Sequence, residues 1–271
     1  MSSPFDKSAV SRLSEQYDAE SRAYVECWAP VLHPISRALL DGLPEHPMER
    51  VLDLGAGAGS LLPAIRQKFN GALVIGVDRS EGMLAAANPD GPLAVADAMC
   101  LGVRSEAFDL VVMAFMLFHL PDPNVGLVET RRVLRPGGVV GLTTWAADME
   151  SPAIRVWNEA LDAHGAVPAA SLGRIARHDL MDSPDKVRGL LESAGFVSVR
   201  ARVEEFTHPI GLEEFVRLRR GVGGNKKRLE SLDPVTRDRC VAQARERLAK
   251  LTEDDFTLRL PIVLASGRSR W

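Results

Sequence analysis

Asp53, Gly55, Gly57 and Gly59 stand in the decapeptide VLDLGAGAGS at residues 51–60, a carboxylate and three alternate glycines where an apolar run gives way to helical spacing. Glycine tolerates positive φ and carries no side chain, so the backbone can come within contact distance of a ligand. The amides that open the following helix lack intrahelical partners and are expected to face the same spot, which suits an anion or another hydrogen-bond acceptor. The run ALVIGVD then ends in Asp78, roughly 20 residues beyond the glycines, where a carboxylate can accept both hydroxyls of a ribose. Together these residues describe a site for a nucleoside. The dinucleotide fingerprint GxGxxG would need glycine at position 60, and Ser60 stands there, so a pyrophosphate is the poorer fit. A glycine-rich turn taken alone also occurs for packing reasons.

Val51, Leu52 and Leu54 read as a buried parallel strand, and Leu61, Leu62, Ile65 and Phe69 recur at helical spacing. Further strands are expected at 72–77, 93–96, 108–113, 138–144, 196–204 and 257–265, separated by helical patterns. That alternation implies an α/β fold: a Rossmann-like, mainly parallel seven-stranded sheet with helices on both faces and a mostly helical cap. Pro261 lies inside the last strand and cannot donate a ladder bond, so a bulge there, or a strand confined to 262–265, is expected. Ser183 and Pro184 open one helix and Gly195 ends it. Val10, Leu13, Tyr17, Tyr24 and Trp28 make one apolar face of an N-terminal helix that Pro30 should end or kink. The expected division is 1–45 as N-terminal cap helices, 46–146 as ligand-binding core and 147–180 as a cap insertion. Residues 181–208 then return to the core, 209–254 form a second helical insertion, and 255–271 carry the final strand. Ligands of open α/β sheets bind beyond the carboxyl ends of the strands, so a cap there would close over the site and select what enters.

A chain of 271 residues with 46% hydrophobic and 25% charged residues can bury the core of one large α/β domain. The longest apolar run, Leu110 to Phe118, is far short of the ~20 residues a membrane helix needs. The N-terminus has no apolar signal core, and a cytoplasmic location is expected. Cys27, Cys100 and Cys240 are widely separated and read as free thiols, with no metal site implied. A net charge of −3 disfavours nucleic acid as partner. Arg217 to Lys250 nevertheless carries 11 basic residues against four acidic ones. That stretch could dock a carrier protein, a phosphorylated substrate or RNA. The favoured reading is an amphipathic helix over 234–250 with Val241, Ala244, Leu248 and Leu251 buried and its arginines in water. No aromatic residue interrupts the stretch to stack bases.

Five motifs in order resemble class I S-adenosylmethionine-dependent methyltransferases: VLDLGAGAGS, VIGVDRSEGML, VADAMCL, FDLVVMAFMLFHLPDP and LRPGGVVGLTTW. The likeness is closest to the small-molecule branch that includes quinone-biosynthesis and polyketide-tailoring enzymes. The resemblance implies S-adenosylmethionine as cofactor and S-adenosylhomocysteine as product. It implies that Gly55, Ala56, Gly57 and Gly59 line the methionine and ribose portion, with Asp53 positioning the loop or the amino group. Asp78 would hold the ribose hydroxyls and Asp97 the adenine amine. The amides of Ala98 and Met99 would meet the ring, Arg79 and Met83 would flank it, and Met113 and Ala114 would also belong to the cofactor site. The last strand is expected to run antiparallel within the sheet.

In-line displacement at a sulfonium methyl needs a nucleophile held opposite the leaving sulfur and water kept out. His119 is the best placed of the six histidines to take a proton from a phenol, enol or carbon acid, with His178 an outside candidate. Phe115, Met116, Phe118 and Trp145, with Tyr17 and Tyr24, suggest an apolar or aromatic acceptor pocket. Methyltransferases of nucleobase amino groups typically carry an Asn/Asp-Pro-Pro-aromatic tetrad where this chain has Met113 to Met116, which disfavours such acceptors. The expected reaction is methyl transfer to O, N or C of a small, aromatic or polyketide-like acceptor. The alternatives are a nicotinamide oxidoreductase, a methyltransferase fold that keeps the cofactor without catalysis, and an RNA or protein methyltransferase.

Overall fold

The computed structural model describes residues 7–86, 91–168 and 178–270. The chain begins with α1 (Lys7–Ala23), a π-helical turn (Tyr24–Trp28) and α2 (Ala29–Asp41), followed by β1 (Arg50–Leu54) and α3 (Leu62–Lys68). Next come β2 (Leu73–Asp78), α4 (Glu81–Ala86), β3 (Leu93–Val95), β4 (Phe108–Ala114), α5 (Pro123–Val133) and β5 (Leu134–Trp145). The remaining elements are α6 (Pro152–Ala163), α7 (Pro184–Ser193), β6 (Phe196–His208), α8 (Leu212–Gly221), α9 (Gly223–Glu230), α10 (Pro234–Leu248) and β7 (Leu258–Ser269).

All seven strands form one sheet in the order β3-β2-β1-β4-β5-β7-β6. The first five pair in parallel, and β7 runs antiparallel between β5 and β6. Val51, Leu110, Val111, Val112, Val140 and Val263 have no exposed surface, as central strands covered on both faces require. The strand order reverses between β1 and β4, which opens a crevice at the carboxyl ends of those strands. Four helices start with the same device: Asp122, Ser151, Ser183 and Asp233 each accept a backbone N–H of the first turn, and proline follows at the first helical position. Gly195, at φ +90°, closes the turn after α7 as expected.

Three expectations need correction. The helix does not end at Pro30: it continues to Asp41, past Pro34 as well. The N–H that Pro30 lacks falls where the ladder is already widened, because Ala29 donates to Tyr24 five residues back. At Pro261 there is neither a bulge nor a strand end; β7 runs from 258 to 269, Pro261 stays in register with Glu205, and the irregularity of β6 lies between Val197 and Arg200. Ladder pairing between β5 and β7 stops at Trp145 with Ile262, so the missing donor faces the margin where β5 leaves the sheet, while the carbonyl of Pro261 still accepts from Ala146. Cys240, Val241, Ala244 and Leu248 of α10 are buried, Leu251 beyond its end is only half so, and the arginines of the helix are not simply in water. Arg245 pairs with Glu213 and Arg247 with Glu159, while Arg228 of α9 pairs with Asp162. The basic stretch therefore helps to tie α6, α8, α9 and α10 together.

The side chain of Val10 and residues 169–177 of the 147–180 segment lie outside the described residues. Among the described residues no helix is long and apolar enough to cross a membrane. Cys27, Cys100 and Cys240 are free thiols.

Candidate active site

The ends of β1, β2, β3 and β4 converge on a cleft of about 120 Å³ bounded by Gly55, Gly57, Asp78, Met83, Asp97 and Ala114, with Tyr17 and Tyr24 closing it from the N-terminal helix. Gly55, Gly57 and Gly59 have φ of +80°, +54° and +72°, a region L side chains rarely adopt. A Cβ at Gly55 would lie 2.5 Å from Cβ of Met116, and one at Gly57 3.1 Å from Cε of Met83. The amides expected to face a ligand are largely engaged within the fold. Gly55 and Ala56 donate to the carbonyl of Val77, Gly59 donates to that of Ala56, and Gly57 donates to Oδ2 of Asp78 at 2.8 Å. The glycines thus contribute a bare surface and a turn clamped to β2, more than free donors.

Asp78 is the clamp. Its second oxygen accepts from the amide of Ser80 at 2.9 Å, so the carboxylate joins the glycine turn to the start of α4. Burial raises its pKa against the lowering effect of those amides, and Asp18 raises it further. Asp53 is 2% exposed, and its Oδ2 has no hydrogen-bond partner among the described residues. Burial, with Asp78 nearby, pushes its pKa up to about 7. The same surroundings raise the Tyr24 phenol, chiefly through burial and then through Asp78. Asp18 of α1 accepts from Oγ of Ser80 at 2.5 Å and from the amide of Gly82 at 2.9 Å, docking α1 on α4. Asp53, Asp78 and Asp18 thus gather negative charge around one small cleft, a field that favours a cationic ligand.

A second cavity of about 660 Å³ opens beside the first, and Leu13, Tyr17, Tyr24, Phe115 and His119 line both. The π turn presents Tyr24 and Trp28 to it together. Trp28 stacks on Trp145 at 6.0 Å, and Trp145 meets Phe115 at 5.1 Å. Phe115 has φ +55°, an uncommon conformation outside glycine. Its amide is held between the carbonyl and Oγ1 of Thr143, just where β4 hands over to the site. His119 ends a single 3₁₀ turn after β4, and its Nε2 lies 2.9 Å from the Tyr17 hydroxyl. Phe118 packs between the rings of His119 and His178.

Several expected placements change. Met113 is fully buried and receives a hydrogen bond from Oγ1 of Thr130 on α5, so it supports the sheet and does not line the cleft. The amide of Met99 donates to Oδ1 of Asp97, so it is not free to meet a ring. Met116 faces the smaller cleft over Gly55, not the larger cavity where an acceptor contact was expected. Asp53, Ala56 and Gly59 stand behind the cleft wall. Arg79 lines the cleft and pairs with Asp97 at 3.5 Å, bracketing its outer end with Ala98. Phe118, Trp145 and His178 do reach the larger cavity. Sequence reasoning missed Asp18, an unremarkable acid on a polar helix, and read Trp28 only as packing. It also passed over Arg219, hidden among the basic residues of its stretch.

A family model described as a methyltransferase domain matches residues 52–142. A demethylmenaquinone methyltransferase of Streptomyces griseus subsp. griseus is 32% identical to the chain over 180 residues, which span 61% of this chain and 76% of that protein. A nocamycin O-methyltransferase of Saccharothrix syringae is 27% identical over 281 residues, 96% of each chain. Among solved structures, Haemonchus contortus phosphoethanolamine N-methyltransferase 2, in complex with phosphomonomethylethanolamine and S-adenosylhomocysteine, aligns with a TM-score of 0.55 at 20% identity. The alignment covers 100% of this chain and 61% of that one, and at such identity it speaks for the fold.

Proposed function

We propose a division of the reaction between the two cavities, given that this chain belongs to the class I S-adenosylmethionine-dependent methyltransferases of the small-molecule branch. As a member it is an enzyme that methylates a small metabolite with S-adenosylmethionine as cofactor, and the nicotinamide alternative falls away. In our reading the smaller cleft takes the cofactor and the larger cavity the acceptor. The observation that carries this is their common wall, since Tyr17, Tyr24, Phe115 and His119 belong to both.

The residues fit the cofactor. Asp53, buried behind Leu54 and Gly55 of the cleft wall, would position the glycine turn on which the methionine portion lies. Asp78 keeps lone pairs beyond the two amides it accepts, enough for ribose hydroxyls. Met83 and the Arg79–Asp97 pair flank the place for the adenine. When bound, the cofactor supplies a methyl group on a cationic sulfur, open to in-line displacement. The three carboxylates around the cleft favour that charge, and the aromatic side chains of the shared wall keep water from the line of attack. His119 accepts the acceptor's proton, directly or through the Tyr17 hydroxyl. The aromatic lining by Trp28, Phe115, Phe118 and Trp145 suits a planar, hydroxylated acceptor such as an aromatic or polyketide-like ring.

Calorimetric titration with S-adenosylhomocysteine and, separately, NADH tests the cofactor. Binding of the first and not the second is expected, and the reverse would overturn the reading. Transfer of a labelled methyl group into a metabolite extract, followed by mass identification, names the acceptor.

A further inference from the structure

We propose that the acceptor carries an anionic group, a carboxylate or a phosphate, which the guanidinium of Arg219 binds inside the larger cavity. This rests on the reading that the larger cavity takes the acceptor. Arg219 is on α8, which packs against the π turn, and it lines the cavity while only 5% exposed. Among the described residues its buried Nε and Nη2 have no hydrogen-bond partner, and no Asp or Glu pairs with it. Its planar group lies 5.0 Å over the ring of Phe215, itself fully buried against Trp157 and Phe256. Burial lowers its pKa to about 10, which leaves it protonated at neutral pH.

The acidic groups on the cavity wall do not answer it, and Lys227 there is a second cation. Glu20 is taken by Lys226 and Asp182 by Lys186, while Asp148 and Asp179 are exposed. A buried charge without a counter-charge is strongly unfavourable, and it is retained where a ligand supplies the missing partner. A guanidinium is suited to that task because its fork meets two oxygens of one anion at once. Arginine on α8 would thereby orient an otherwise apolar acceptor between the tryptophans and the shared wall.

The test uses the full-length protein saturated with S-adenosylhomocysteine, titrated calorimetrically with 2-naphthoate, 2-naphthyl phosphate and the uncharged 2-naphthol. At least one anion is expected to bind about 10-fold or more tightly than 2-naphthol, and the tighter of the two tells carboxylate from phosphate. Arg219→Met should abolish the preference while keeping S-adenosylhomocysteine affinity and a melting temperature no lower than that of the wild type. Arg219→Lys should keep part of the preference. Equal binding of 2-naphthol and both anions to the wild type overturns the proposal, as does a preference that survives Arg219→Met. If Arg219→Met fails to fold, the wild-type comparison and Arg219→Lys still decide. Failure of S-adenosylhomocysteine to bind the wild type would instead strike the methyltransferase reading, and the naphthyl series would then be read on the free protein.

Discussion

Replacing Asp53 by asparagine tests the electrostatics around the smaller cleft directly. The carboxyl is buried, one oxygen lacks a partner, and its pKa rises from 3.8 to about 7. A group whose folded pKa lies above its unfolded value contributes stability that is complete below the unfolded pKa and is lost as pH rises through the folded one. Between about pH 5 and pH 8 the wild type therefore loses stability on the order of a few kcal/mol, and little more above that. Asparagine does not titrate. It leaves an amide in the same hole at a constant cost, so the informative quantity is how the stability difference changes with pH. The variant should gain on the wild type by an amount on the order of a few kcal/mol from pH 5 to pH 8, or roughly 5 to 10 °C in melting temperature for a chain of this size. Asp78 titrates in both proteins and cancels to first order. Urea unfolding of the ligand-free proteins at both pH values gives the comparison. A variant-minus-wild-type stability that stays constant or falls from pH 5 to pH 8 would refute the reasoning.

Gly55→Ala forces a side chain into φ +80° with its Cβ 2.5 Å from that of Met116. Left-handed strain of about 1–2 kcal/mol and overpacking of about 1–3 kcal/mol predict a total loss near 2–5 kcal/mol in urea unfolding, and a loss under about 1 kcal/mol would contradict the geometry. His119→Ala should lower turnover on the true acceptor by about 100-fold or more while leaving S-adenosylhomocysteine affinity unchanged; near-normal turnover removes the base. Tyr17→Phe, which deletes the hydroxyl 2.9 Å from Nε2, should cost about 10-fold, as one hydrogen bond does. Asp18→Ala removes the acceptor for Ser80 and Gly82, so hydrogen exchange should accelerate in α1 and α4 by the equivalent of about 1–3 kcal/mol with the sheet unchanged. Uniform acceleration would show that Asp18 does not act locally.

Much of the fold was legible because its signals are short-ranged. The Ser183-Pro184 start of α7, the start of α10 at Pro234 and the Gly55 to Gly59 turn each depend on residues within one turn of chain. Pro30 and Pro261 misled because a missing N–H matters only if the surrounding ladder needs it, and neighbouring structure removes that need in both places. Met113 and Met116 exchanged apparent importance for a similar reason: the end of β4 turns the first under α5 and the second over Gly55.

The sequence by itself determined the order of strands and helices, the positive-φ turn and the acids that follow β1 and β2, since each is written in local spacing. Tertiary structure alone decided which groups are spent and which are left over. The loop amides are consumed by Val77 and Asp78, and Tyr17 meets His119 across 102 residues. Asp18 joins a distant helix to the cleft, and Arg219 enters the larger cavity without a counter-charge among the described residues. Pairing and burial are sums over neighbours from the whole chain, and a linear pattern does not carry those sums.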